Sequence, residues 1–367
     1  MAPQAEAIVD LDAYRSNIET LASCAPGSAL MAVVKADAYG HGMLQCGRAA
    51  REAGADWLGV ATIAEALALR KGGDTGNLLC WLASPGADFA SAIAADVEVT
   101  ASSAEQLAEI LAAAERPKVQ LKVDTGLSRN GAHGEQWTAL VAAAAQAQDV
   151  GKAEITGVWS HFACADEPAH PANDEQESVF LKAVDELAAA GVTPALRHLS
   201  NSAATLTRPS AHLDLVRVGI ASYGINPDRA LEHDATLVPV MTLQARLAAV
   251  KRVTAGTSVS YGHTWTAERD TTLGLVPIGY GEGILRTASN RGEVAHGDRR
   301  APVAGTICMD QFVVDLGDSD ASRGDVVTVF GPGGPSADDW AVAAGTIAYE
   351  VVTRLGGRIE RTYRGSR

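Results

Sequence analysis

Positive charge is in short supply in this chain: 30 Lys and Arg stand against 44 Asp and Glu, for a formal net charge of −14. That balance argues against a general nucleic-acid surface, because phosphate binding draws on basic patches. It leaves room for a local basic pocket around one small anion. Cysteine is also sparse. Cys24, Cys46, Cys80, Cys164 and Cys308 are scattered, odd in number and never in a CxxC pair. Neither a disulfide framework nor a cysteine-rich zinc site is expected. The nine histidines include no HExxH. His161 and Cys164 stand three apart, but no nearby spacing completes a metal quartet, so no metal is expected. Alanine-rich stretches such as Ala142 to Ala145 are too short and interrupted to span a bilayer. The opening MAPQAEAIVDLDAY lacks the basic start and apolar core of a signal peptide. A soluble, cytoplasmic protein without nucleic-acid or membrane partners is the expectation.

What is present is a large globular composition, 47% hydrophobic and 20% charged over 367 residues. That length predicts two domains, or one barrel plus something smaller. Short apolar runs alternate with Ala/Leu/Glu-rich segments through the first two thirds. Candidate strands are Leu30–Val34, Trp57–Val60, Asn77–Cys80, Val97–Thr100, Val119–Val123, Ile155–Trp159, Leu196–Leu199 and Leu215–Val218. Segments such as Ser103–Glu115 and Glu175–Ala190 suit amphipathic helices. Eight strands linked by helices fit an α/β fold of the (β/α)₈ type, a closed TIM-like barrel. A doubly wound sheet is the rival, since it uses the same alternation. Polar groups at the ends of the apolar runs favour the barrel. Lys35 follows AVV, Lys122 and Asp124 close QLKVD, His161 follows GVWS, Ser200 and Asn201 follow RHL, and Arg217 lies in LVRVG. Barrel active sites gather at the C-terminal ends of strands.

After about residue 235 the pattern becomes strands separated by Gly, Asp and Arg turns. Only Asp338–Arg354 reads as a helix there, with Asp338 as its cap and an apolar stripe through Ala341, Ile347 and Val351. The expected division is a barrel over residues 1–235 and a smaller, mostly β domain over 236–367. GPGGPS at Gly331–Ser336 has no following Lys-Ser/Thr and reads as a turn, not a P-loop.

The segment AVVKADAYGHG, from Ala32 to Gly42, carries the most chemistry. A lysine emerging from an apolar strand is unusual. Burial lowers a lysine pKa, and a neutral amine is what covalent attachment to a carbonyl needs. A snorkelling lysine at a strand exit is the bland alternative. Tyr39, four residues on, could share a face of the following turn and bind a phosphate or a backbone group. Gly40 and Gly42 permit close approach or positive φ.

This segment resembles the cofactor-lysine motif of the alanine racemases, bacterial fold-type III pyridoxal-phosphate enzymes. LKVDTGLSRNG, GVWSHFA, LSNSAA, VRVGIASYG, VSYGHTW, PIGYGEG and ICMDQ follow in that family's order, across both domains. The resemblance implies pyridoxal 5′-phosphate held by Lys35, with L- and D-alanine interconverted to supply D-alanine for peptidoglycan. It implies that Arg217 reaches the pyridine nitrogen. Arg stays protonated, so it donates without giving up a proton. Tyr39, Ser202, Gly219, Ile220 and Tyr349 would hold the phosphate, and His161 would contact the cofactor side of the site and Arg217. Racemisation needs a base on each face of the substrate. Lys35 would act on the D-enantiomer and Tyr261, from the other subunit of a homodimer, on the L-enantiomer. A tyrosine acting as a base at neutral pH needs help from its surroundings, such as a nearby cation. Arg129 and the main-chain N–H of Met309 would meet the substrate carboxylate. Tyr280 would narrow the entrance from the partner subunit. Lys122 matches a lysine that is carbamylated (N6-carboxylysine) in some members, a change that would orient Arg129.

Two places depart from the family's commonest wording: TGLSR where TGMGR is frequent, and GYGEG where GYADG is frequent. Each keeps the residue that matters, Arg129 or Tyr280. Cys308 beside Met309 reads as packing. Three alternatives remain open at this point: a broad racemase of serine and other small amino acids, a fold-type III decarboxylase, and a non-catalytic pyridoxal-phosphate carrier. Arg217 speaks against the decarboxylase, and the second domain with Tyr261 against the carrier.

Overall fold

The protein is seen here in a computed structural model that describes residues 3–365. After a first strand, β1 (Ala5–Asp10), eight parallel strands follow: β2 (Ala29–Val33), β3 (Trp57–Val60), β4 (Asn77–Cys80), β5 (Glu98–Ala101), β6 (Lys118–Lys122), β7 (Glu154–Trp159), β8 (Leu196–His198) and β9 (Leu215–Val218). Each lies within a residue or two of the stretch expected from sequence. They pair in the order β8-β7-β6-β5-β4-β3-β2-β9. The remaining seam, between β8 and β9, is bridged at both ends. The Asp214 N–H donates to Arg197 O at 3.1 Å and the Arg217 N–H to Ser200 O at 3.1 Å. This is the (β/α)₈ barrel, and the doubly wound alternative falls away.

The barrel interior is split. On one side Met31, Trp57, Leu79 and Leu215 form an apolar cluster. Across from it, β5, β6 and β8 place the buried polar side chains of Glu98, Thr100, Gln120 and His198. Large interior side chains need small neighbours. A Cβ on Gly59 would stand 2.6 Å from Met31 Sδ, and one on Gly157 would stand 2.9 Å from Gln120 Cδ. Glycine at these two positions is space for the residue opposite.

The second domain comprises β10 (Met241–Arg246), β11 (Ala249–Val253), β12 (Ser258–Val259), β13 (Trp265–Thr266), β14 (Thr271–Val276), β15 (Glu293–His296), β16 (Arg299–Pro302), β17 (Phe312–Gly317), β18 (Val326–Phe330) and β19 (Glu360–Arg364). Here the expected division at residue 235 needs a correction at its N-terminal end. The first strand β1 pairs antiparallel with β10 and parallel with β19, inside the six-stranded sheet of the second domain. The apolar spacing of AEAIVD is that of a strand, but nothing in it says which sheet takes it.

A second correction concerns the helix expected over Asp338–Arg354. Two helices occupy the segment, Ala337–Ala344 and Ala348–Thr353. Gly345 is left-handed, at φ 73 and ψ 41. The Gly345 N–H reaches Val342 O at 3.2 Å and the Thr346 N–H reaches Ala341 O at 2.9 Å, the paired bonds of a Schellman stop. Ser336, not Asp338, is the cap, in a reciprocal pair with Asp339. Ile347 consequently leaves the apolar stripe and is exposed.

The chain passes from barrel to second domain through a turn at Gly224, with φ +74, where a Cβ would stand 1.8 Å from Val238 O. Gly224→Ala should therefore cost about 3 kcal/mol or more in urea unfolding. Gly297→Ala, at φ +56 with nothing within 4 Å, should cost only about 1 kcal/mol.

Candidate active site

The polar residues at the strand ends gather at one mouth of the barrel. Lys35 stands two residues beyond β2, and the chain then makes an uncommon turn. Ala36, Asp37, Ala38 and Tyr39 all have φ between 52 and 54, a left-handed conformation that L-residues resist. Side chains hold it. Glu65 Oε1 accepts the Ala36 N–H at 2.7 Å and Asp37 Oδ1 accepts the Met43 N–H at 2.8 Å. From the second domain, Arg361 Nε donates to Gly40 O at 2.8 Å. Gly40 has φ +83, and a Cβ there would lie 2.3 Å from Val352 O, so this position requires glycine.

Lys35 Nζ lies 6.0 Å from the Tyr39 ring centroid and 5.9 Å from that of Trp81. Burial pushes its amine down from the usual lysine range, Arg129 and Arg217 push the same way, and Glu65 opposes them. Lys122, at the end of β6, has its Nζ 4.3 Å from the Trp159 ring centroid. Burial, then Arg217 and Arg129, bring it down to about 8. Arg129 projects from an exposed loop fastened at its base, where the Asp124 N–H donates to Ala132 O at 2.9 Å and the Ala132 N–H to Lys122 O at 3.0 Å.

Arg217 is almost fully buried. Its Nη2 donates to Ser160 O at 2.7 Å and Leu199 O at 3.1 Å, and lies 3.2 Å from His161 Nδ1. Its Nη1 lies 3.1 Å from His198 Nδ1. Burial lowers its pKa to about 9, which leaves it protonated at neutral pH. Burial, and then the Arg217 charge, hold both histidines well below the ordinary imidazole range, so each is neutral and accepts from the guanidinium. Behind His198 runs a relay that the reading of the sequence missed. His198 Nε2 donates to Gln120 Oε1 at 2.8 Å, Gln120 Nε2 donates to Glu98 Oε2 at 2.8 Å, and Thr156 Oγ1 donates to the same oxygen at 2.6 Å. A readable signal existed: Glu98 and Gln120 both interrupt apolar strands.

Beside Lys35 the structure forms a cradle. A Cβ on Gly219 would stand 2.4 Å from Tyr39 Oη, so the hydroxyl sits against bare backbone. Ser202 Oγ accepts the Gly219 N–H at 2.8 Å. Ile220 opens a 3-10 turn, so its buried N–H has no acceptor within that turn. Tyr349 arrives from the second domain, its ring centroid 6.2 Å from that of Tyr39. Burial pushes both hydroxyls up, so they stay protonated donors. Hydroxyls and backbone N–H groups converging in this way suit a phosphate.

Tyr261, Tyr280 and Met309 lie elsewhere, on the exposed surface of the second domain, with Tyr261 75% exposed. Their backbones are tied to one another's loops. Thr306 Oγ1 donates to Tyr261 O at 2.9 Å, the Tyr280 N–H to Cys308 O at 3.0 Å and the Gly281 N–H to Met309 O at 2.8 Å. No helix among the described residues is long and apolar enough to cross a membrane.

Comparison with known proteins covers both domains. The family model described as alanine racemase, N-terminal domain, matches residues 9–227, and that for the alanine racemase C-terminal domain matches 240–363. An alanine racemase of Frankia casuarinae is 52% identical over 366 residues, 97% of this chain and 95% of that protein. One from Salinispora arenicola is 51% identical, with 99% of each covered. The crystal structure of alanine racemase from a D-cycloserine-producing Streptomyces lavendulae superposes with a TM-score of 0.97 at 50% identity, covering 100% of this chain and 98% of that one.

The buried cations give a pH test. A lysine brought down to about 8 binds fewer protons folded than unfolded between that value and the ordinary 10.5. Its burial penalty is thus full below pH 8 and is relieved as pH rises through this window. Without cofactor, Lys122→Met should be more stable than the parent by about 1 kcal/mol at pH 7. That advantage should shrink towards pH 10 in parallel urea titrations. An advantage that grows with pH would contradict the assignment.

Proposed function

The chain belongs to the alanine racemase family, and on that premise we propose that it interconverts L-alanine and D-alanine with pyridoxal 5′-phosphate at the barrel mouth. The observation that carries this reading is the pairing of a buried, pKa-lowered Lys35 with the Tyr39–Ser202–Gly219–Ile220 cradle beside it. The residues fit the cofactor. Tyr39, Ser202 and Tyr349 would donate hydroxyls to its phosphate, Ile220 would donate its N–H, Gly219 would turn its N–H from Ser202 Oγ to the phosphate, Arg217 would face its pyridine nitrogen, and Lys35 would hold it covalently. When bound, the cofactor draws electron density from the amino acid and makes the hydrogen on Cα acidic.

Everything else falls to the protein. Arg217, held on both sides by neutral histidines, would donate a hydrogen bond without losing its proton, so the ring would stay unprotonated and withdraw electrons only moderately. That restraint would favour return of the proton to Cα over loss of carbon dioxide. Lys35 Nζ would exchange the Cα proton on the face of the D-enantiomer. Tyr261 of the partner subunit would exchange it on the opposite face. The exposure of Tyr261 on the second domain, away from its own chain's cation cluster, supports a homodimer in which each site draws on both chains. The working division is a barrel ending near residue 235 and a second domain that borrows the first strand.

Arg129 and the Met309 N–H would hold the substrate carboxylate, with Tyr280 narrowing the entrance and His161 backing Arg217. At about 8, Lys122 has a neutral fraction at physiological pH. That amine would add carbon dioxide, forming one N–C bond and releasing one proton. The carbamate would then pair with Arg129, converting a cation repelled by its neighbours into an anion they attract. A product supply for peptidoglycan follows from the family role.

Incubation with L-alanine or D-alanine separately in D₂O should give the same racemate, with deuterium at Cα. Retention of either starting enantiomer would overturn the activity. The shared site has its own test. Lys35→Ala and Tyr261→Phe homodimers should each be nearly inactive, because every site lacks one base. Random subunit exchange makes about half the dimers mixed, each with one intact site of two, so activity should return to roughly a quarter of the parent. Proven heterodimers without recovery would place both residues in a single chain's site.

A further inference from the structure

The GYGEG segment departs from its family's usual wording, and the structure gives the departing residue a task. Glu282 is 2% exposed at its side chain, yet it carries a carboxylate. Its Oε2 accepts the Gly279 N–H at 2.9 Å. Its Oε1 accepts Arg358 Nε at 2.5 Å. The other arm of the same guanidinium reaches Asp310 Oδ1 at 2.5 Å. Arg358 is 64% exposed at its side chain and so lies over the pair from outside, bridging two loops.

Those loops meet without slack. A Cβ on Gly279 would stand 2.1 Å from Cys308 O and 2.5 Å from Met309 O. The Tyr280 N–H donates to Cys308 O at 3.0 Å and the Gly281 N–H to Met309 O at 2.8 Å. The first of these bonds matters most. Cys308 C=O and Met309 N–H belong to one planar trans peptide and point in opposite directions. Pinning the carbonyl therefore aims the N–H. Among the described residues, the Met309 N–H has no hydrogen-bond acceptor within the chain. It is a fixed, unused donor on an exposed surface.

We propose that Glu282 and Arg358 are positioning residues that aim the Met309 N–H at the substrate carboxylate by locking its peptide to the Tyr280 backbone as one unit. The inference rests on the racemase reading for what that unit meets. The path is continuous. Arg358 holds Glu282, Glu282 closes the turn at Gly279, the turn presents the Tyr280 N–H, and that N–H sets the Cys308–Met309 peptide. Glutamate suits this better than the shorter aspartate, because its extra methylene lets one carboxylate bond the turn and still reach Arg358. The clamp acts on a feature common to both enantiomers, so it should affect both equally.

The test uses the exposed partner, whose replacement leaves the buried loop packing in place. In Arg358→Met holoenzyme, KM should rise about tenfold for L-alanine and for D-alanine alike, with kcat within about twofold. Amide exchange at Tyr280 and Gly281 should quicken, while the barrel mouth stays unchanged. Arg358→Lys, which keeps the charge but loses the fork, should give an intermediate KM. An unchanged KM, a fall in kcat at constant KM, or a raised KM without faster exchange at these amides would each overturn the proposal. If the parent enzyme does not racemise alanine, the functional reading fails instead. The exchange measurement still judges whether Arg358 locks the two loops.

Discussion

A guanidinium buried inside a barrel is the constraint around which this molecule is organised. Arg217 sits on β9 with almost no exposure, and an unpaired charge there would be prohibitively costly. Among the described residues no carboxylate touches it. Two backbone carbonyls and two neutral imidazoles accept its hydrogen bonds. Its charge is therefore solvated by dipoles and not cancelled. That arrangement dictates the polar half of the interior. His198 can accept on Nδ1 only if its proton is on Nε2, and Nε2 then needs an acceptor, which is the Gln120 carbonyl. Gln120 must turn its amide outward, and Glu98, acceptor on Oε2 from both Gln120 and Thr156, fixes that direction. Gly157 supplies the space Gln120 fills. The donor sense of the relay is thus fixed from both ends, by Arg217 at one and by Glu98 Oε2 at the other.

The lysine-bearing turn faces the opposite problem, since its difficulty is conformational. Each left-handed L-residue costs about 1–2 kcal/mol, and here there are four in succession. A right-handed turn after β2 would swing Tyr39 off the face where its hydroxyl meets the bare backbone of Gly219. The compensation comes from distant parts of the chain: Glu65 from the helix Ile63–Lys71, and Arg361 from the last strand of the second domain. Joining β1 and β19 in one sheet places Arg361 against the barrel mouth. The barrel's geometry thus depends on a domain that contributes no strand to it.

Much of this is legible in the order of the amino acids. The eight apolar runs mark the barrel strands to within a residue or two, because strands buried on both faces leave short, uniform signals. The polar exits locate the mouth for the same reason. Other features are not legible there. AEAIVD has a strand's spacing, but pairing partners about 235 residues away leave no local trace. Asp338–Arg354 has helical spacing throughout, and only the left-handed Gly345 with its Schellman bonds reveals the break. Glu98, Gln120 and His198 are ordinary letters until the barrel closes them into one interior. The placement of Tyr261, Tyr280 and Met309 on an outer surface likewise depends on tertiary folding, because their motifs carry no sign of which way the second domain faces.

Charge distribution unites the scale of the whole chain with that of the site. A molecule with a formal net charge of −14 should repel anions, yet Lys35, Lys122, Arg129 and Arg217 act on one another at a single mouth. The cost of that crowding is visible in the lowered lysines. Its benefit is a local field of the opposite sign to the rest of the surface, focused by low-dielectric walls of Trp81 and Trp159. An anionic ligand entering here relieves repulsion that the folded protein already contains, so part of its binding free energy is stored beforehand. Neutral donors could hold the same ligand by hydrogen bonds alone. Burial is the larger cause of the lowered lysine amines, and the neighbouring guanidinium charges, which neutral donors would lack, push the same way. The crowding therefore does two things with the same residues: it favours an anion at the mouth, and it adds to the burial that lowers the amine of Lys35.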